Sequence, residues 1–123
     1  MPYRPRALPR FVDIVELPGG QAALQGGGSV HHLAFSVTDR AAQGEVRDRL
    51  MHAGYQVTPQ IDRNYFFSIY FPSPGGVLFE VATEEPGFTA DEPVAELGRH
   101  LTLPPQHEPR RAEIERALPP LAV

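Results

Sequence analysis

The reading of this chain turns on Phe66-Phe67-Ser68-Ile69-Tyr70-Phe71 and Val77-Leu78-Phe79-Glu80-Val81-Ala82, taken with Ser29-Val30-His31-His32-Leu33-Ala34-Phe35-Ser36-Val37. Side chains along a strand alternate between faces. One face of the three segments carries Leu33, Phe35 and Val37, then Phe67, Ile69 and Phe71, then Val77, Phe79 and Val81. The opposite face carries His32, Ala34 and Ser36, then Phe66, Ser68 and Tyr70, then Leu78, Glu80 and Ala82. A face of large apolar side chains calls for a helix packed on it. The other face, smaller and more polar, reads as the lining of a cavity holding a histidine, a tyrosine and a carboxylate.

The turn between the last two segments sets their register. With Pro74-Gly75-Gly76 as a three-residue loop, Ser73 pairs with Val77 and Tyr70 lies opposite Glu80. A loop one residue longer would turn Glu80 to the other face. The apolar pattern favours the first arrangement, so Tyr70 and Glu80 are expected to share a face.

Working outward, Thr38 or Asp39 is the expected N-cap of a helix, because a short oxygen side chain satisfies free backbone N–H groups. Ala42, Val46, Leu50 and Ala53 form its packing stripe and Gly54 its left-handed terminus. A second strand is expected over 55–59 and a turn at Asp62-Arg63-Asn64, giving the order βαβββ. Before this module, residues 1–28 read as a proline-rich arm with a short strand at 11–17, ending in the joint Gly26-Gly27-Gly28. The module is expected to span 29–88. After it, 89–123 reads as a tail with a short helix near 92–98 and a charged helix over 108–117, carrying Ile114 and Leu118 as apolar contacts.

Composition bounds the function. The chain has 123 residues, one domain's worth, with 41% hydrophobic and 21% charged residues. A net charge of −4 argues against nucleic acid as the main partner. There is no cysteine, hence no disulfide, thiolate metal site or cysteine nucleophile. No apolar run approaches the roughly 20 residues of a membrane span, and no signal-peptide pattern opens the chain. A cytoplasmic location is the expectation, with neither membrane nor nucleic acid as a partner.

Histidine and carboxylate facing one cavity suit iron(II), manganese, zinc or nickel better than calcium. Only one histidine, His32, and one carboxylate, Glu80, are well placed, so a further histidine has to come from another module. Each residue has a plainer reading: His32 as a hydrogen-bonded structural histidine, Glu80 at a solvated edge, Tyr70 as core. Their shared face is what favours a metal site. His31 is expected on the helix side in a structural role, His52 solvated at a helix end, and His100 and His107 in the tail without a metal role.

These residues resemble the vicinal oxygen chelate superfamily of glyoxalase I, bleomycin-resistance proteins and extradiol dioxygenases. Ile69-Tyr70-x-x-x-Pro74-x-Gly76-x-x-x-Glu80 is similar to the extradiol signature. His31-His32-Leu33-Ala34-Phe35, Asp62-Arg63-Asn64-Tyr65-Phe66, Leu78-Phe79-Glu80-Val81-Ala82-Thr83 and Pro86-Gly87-Phe88 more closely resemble the C-terminal module of hydroquinone-type ring-cleaving dioxygenases. The likeness runs from about Gly28 to Leu118. Asp62 and Arg63 stand where the general signature carries a histidine.

The resemblance implies an α+β βαβββ module, an open mixed sheet that pairs with a second module. It implies His32 and Glu80 as ligands of a metal, iron(II) first and manganese, zinc or nickel next. It implies Tyr70 as a catalytic proton relay, with Arg63 and Tyr65 lining the substrate mouth. The expected activity is dioxygen-dependent cleavage of hydroquinone- or catechol-like rings, completed by a companion module or a homodimer. Two alternatives stay open. One is a homodimeric glyoxalase I-like lyase or isomerase; the other is a non-catalytic small-molecule-binding protein of the bleomycin-resistance type.

Overall fold

The computed structural model describes residues 12–21, 24 and 26–119. Four strands, β1 (His32–Val37), β2 (Ile61–Asp62), β3 (Phe67–Pro72) and β4 (Leu78–Thr83), form one mixed sheet in the order β1-β4-β3-β2. β1 runs parallel to β4, and the other two pairings are antiparallel. Helix α1 (Arg40–His52) makes the crossover from β1, so the chain is an α+β βαβββ module with an open mixed sheet.

The local signals act as their chemistry dictates. The Asp39 side chain accepts the Ala42 N–H at 2.8 Å and starts α1. Gly54 takes φ +89 just beyond the C-cap, a conformation that costs a residue with a Cβ. The Ser73 N–H donates to the Val77 carbonyl at 2.8 Å, and Gly76 closes the three-residue loop at φ +84. Tyr70 therefore pairs with Glu80, and Ser68 with Ala82.

The core lies between α1 and the apolar face. Ile69, Phe71 and Val81 are buried, with Val37, Val46, Leu50, Tyr55, Val57 and Phe79 packed around them. Leu33 and Phe35 point the same way but stay 37% and 39% exposed. They sit on the edge strand, and its free side meets no strand among the described residues. One polar residue enters this layer: Gln43 is fully buried and donates to the Phe67 and Val81 carbonyls, 2.7 Å each. The apolar stripe read from the helix did not foresee it.

Three sequence expectations are corrected. Residues 12–17 have no regular structure, and Ile14 is 94% exposed. Alternation alone makes no strand without a neighbour to hydrogen-bond, and none is supplied among the described residues; Phe11 lies outside them. The second strand is not at 55–59 but at Ile61–Asp62. The 55–59 segment instead ties to β3 at one residue, where the Thr58 N–H donates to the Tyr70 carbonyl and Thr58 Oγ1 accepts the Tyr70 N–H. The turn begins after β2, where Asp62 Oδ1 accepts the Asn64 N–H and Asn64 adopts φ +67. In the tail, the expected helix near 92–98 is a single 3-10 turn, Val94–Glu96. A 3-10 turn at Glu108–Arg110 leads into α2 (Arg111–Ala117).

Asp39→Ala removes the side-chain N-cap of the helix that covers the core. It should destabilise the chain by about 1 kcal/mol, read as a lower urea midpoint with an unchanged slope.

Candidate metal centre

The face opposite α1 gathers the chemistry. β4 is an inner strand, so Glu80 at its middle has a strand on each side, and its pairings are Ala34 on β1 and Tyr70 on β3. Only 4% of the residue is exposed. A carboxylate at this depth is costly unless each oxygen finds donors, and here each does. Oε1 accepts from the Ser68 hydroxyl in a short hydrogen bond and from the Tyr70 hydroxyl at 3.0 Å. Oε2 faces His32 Nε2 at 2.8 Å.

The second layer extends both ways. Arg63 points a guanidinium nitrogen at the Tyr70 oxygen, 3.4 Å away, and its charge lies 5.5 Å from the centre of the Tyr70 ring. On the other side, His32 Nδ1 is 2.8 Å from His31 Nδ1, and the two rings meet edge to face. The expectation that His31 stands apart on the helix side is therefore corrected. It precedes the first residue of β1, where strand alternation no longer fixes its direction, and its ring turns to its neighbour. Ser36 donates to Glu84 at 3.1 Å farther along the same face.

Of the expected site residues, His32, Tyr70, Glu80 and Arg63 meet in one connected set. Tyr65 does not join it. Its hydroxyl donates to Asp91 in a short hydrogen bond, and its ring lies 4.9 Å from that of Phe88. The hydrogen bond it gives to the Asp91 carboxylate raises the Tyr65 phenol above its ordinary range, because loss of the proton would forfeit that bond; burial and the nearby negative charge act the same way. Two cavities of about 360 Å³ each flank Tyr65. One is lined by Phe88, Asp91, Glu92, Leu97 and Thr102, and the other reaches Asp62 and Pro104; neither is lined by His32, Tyr70 or Glu80. Tyr65 thus ties the tail to the turn after β2. Ser68 was missed as a site residue, although strand alternation already put it on the face of Tyr70 and Glu80. His52 is exposed, with its ring against the Asp48 carbonyl, and His100 pairs with Glu92 at 2.9 Å.

His32 Nε2 and Glu80 Oε2 converge as nitrogen and oxygen donors of the type that binds first-row divalent ions. Two donors on one such ion, each about 2.1 Å from it, sit about 3 Å apart at neighbouring positions, close to the 2.8 Å found here. No group of three or more His, Asp or Glu side chains is placed to hold a metal among the described residues. Among the described residues, the pair offers two donors of this type and no third. No helix among the described residues is long and apolar enough to cross a membrane.

Known proteins resemble this chain over most of its length. The model of the Glyoxalase/Bleomycin resistance protein/Dioxygenase superfamily matches residues 4–81. The chain is 43% identical over 112 residues to "Putative ring-cleaving dioxygenase MhqO" of Bacillus subtilis, covering 91% of this chain and 36% of that protein. It is 39% identical over 114 residues to the chlorohydroquinone/hydroquinone 1,2-dioxygenase of Sphingobium indicum, covering 92% of this chain and 35% of that protein. A crystal structure titled as a putative dioxygenase from Bacillus subtilis superposes with a TM-score of 0.72 at 45% identity, over 80% of this chain and 32% of that one. The chain therefore spans about a third of the length of the relatives it matches.

The tail carries a pH-sensitive clasp. Glu92 accepts from the Gly98 N–H and from His100, and these hold its carboxyl below the ordinary carboxylate range. A carboxyl depressed in the folded state stabilises it fully above its unfolded value, near 4.5, and loses that contribution as pH falls through the lower folded value. Hydrogen-exchange protection of the Gly98 amide should hold from neutral pH to that range and drop below it. Glu92→Gln should abolish the acid drop.

Proposed function

Because the chain belongs to the Glyoxalase/Bleomycin resistance protein/Dioxygenase superfamily, we propose that it is the metal-binding module of a ring-cleaving dioxygenase acting on hydroquinone- or catechol-like aromatics. The observation that carries this reading is the convergence of His32 Nε2 and Glu80 Oε2 on a face shared with Tyr70. We place the module at residues 29–88, preceded by an arm and followed by the tail. A companion module, or a second copy of this chain, completes the site. The exposed β1, with His32 at its first residue, is the edge against which such a partner closes. The names of the relatives, ring-cleaving and hydroquinone dioxygenases, support the reaction class.

In this reading His32 and Glu80 hold a divalent ion, iron(II) first, with manganese, zinc and nickel as lesser candidates for the same donors. When bound, the ion supplies Lewis-acid polarisation and a template on which an aromatic diol and dioxygen meet. The residues of the chain do the rest. To ligate through Nε2, His32 carries its proton on Nδ1, where His31 Nδ1 accepts it. Tyr70 stands at the edge of the pair, close enough to give a proton to, or take one from, a substrate oxygen. Arg63 donates to the phenolic oxygen, so that a proton leaving Tyr70 leaves that oxygen partnered by a positive charge. Arg63 also offers an anionic ring substituent a cation at the mouth. A glyoxalase I-like lyase would draw on the same two donors doubled in a homodimer. Native mass and oxygen uptake separate the two.

Protein purified anaerobically should retain a divalent metal and consume dioxygen with a hydroquinone once its partner module is present. Glu80→Gln should lose the metal, and wild-type metal content in that variant would remove Glu80 from the ligand set. Tyr70→Phe should keep the metal and slow oxygen uptake by about 10²–10⁴-fold.

A further inference from the structure

Ser68 is fully buried on β3 between Phe67 and Ile69, and its hydroxyl donates to Glu80 Oε1. An ionised carboxylate only accepts, so the Ser68 proton points at that oxygen. The Tyr70 hydroxyl donates to the same oxygen. Together the two donors occupy the accepting positions of Oε1 and leave Oε2 turned towards His32. The two are not equivalent. Tyr70 is partly exposed, and in the function proposed above it turns its proton to the substrate. Ser68 has no such second task and no route to solvent.

We propose that Ser68 is a positioning residue for the metal centre: it holds Oε1 so that Glu80 meets the metal through Oε2 alone, and it keeps that aim while Tyr70 serves the substrate. The proposal rests on the reading of Glu80 as a ligand. It adds that the denticity and aim of this ligand are set by a buried hydroxyl that never touches the metal.

Cobalt(II), which reports its coordination in the visible spectrum, is titrated into the full chain and its variants with the partner module present. Ser68→Ala should bind cobalt about 10–100-fold more weakly, the range typical of a lost outer hydrogen bond to a ligand. Its visible spectrum should also shift as the second carboxylate oxygen becomes free to approach. Ser68→Cys, with a weak donor at nearly the same volume, should fall between the two, and it carries the comparison alone if Ser68→Ala does not fold. A variant with wild-type affinity and an unshifted spectrum overturns the role of Ser68 while leaving the metal reading intact. Wild-type chain that binds no cobalt even with its partner module present overturns both.

Discussion

The site face of this molecule is organised around a carboxylate buried in the middle of a sheet. Glu80 sits on β4, flanked by β1 and β3, where little water reaches it and the side chains bonded to it come from those strands. Its two oxygens are divided: one faces inward to Ser68 and Tyr70, the other outward to His32. The carboxylate is satisfied there because its donors are preplaced by strand register, and the register is set by the turn at Pro74-Gly75-Gly76. A slip of one position would leave a charge among Phe71, Phe79 and the helix, at a cost of several kcal/mol. Folding and function thus draw on one constraint.

The same sheet leaves one edge of the module uncovered. α1 covers β3, β4 and the far end of β1, leaving Leu33, Phe35 and the outer edge of β1 bare. An exposed edge strand with apolar side chains invites pairing. His32 lies on that edge, so the bare surface is also the one that carries the imidazole facing Glu80.

The tail adds a separate polar layer. Tyr65, expected at the substrate mouth, bonds Asp91 and stacks near Phe88, and Glu92 gathers Gly98 and His100. These contacts anchor residues 88–103 to the turn after β2. Of the two residues expected at the mouth, Arg63 is the one that stays beside the site, leaning over Tyr70.

What the sequence determined by itself was whatever depends on periodicity and short-range stereochemistry. The alternation in β1, β3 and β4, the Asp39 cap, the Gly54 terminus and the three-residue hairpin are each legible within a few residues, because strand faces and turn geometry are local properties of the backbone. They sufficed to put His32, Tyr70 and Glu80 on one face. Tertiary structure alone decided what required a partner distant in sequence. It showed which hydroxyl reaches which oxygen of Glu80, that His31 turns to His32, and that Gln43 enters the core to serve two strand carbonyls. It also withheld strands at 12–17 and 55–59. A hydrogen bond is made by two groups at a distance and an angle, and composition records only that each group exists.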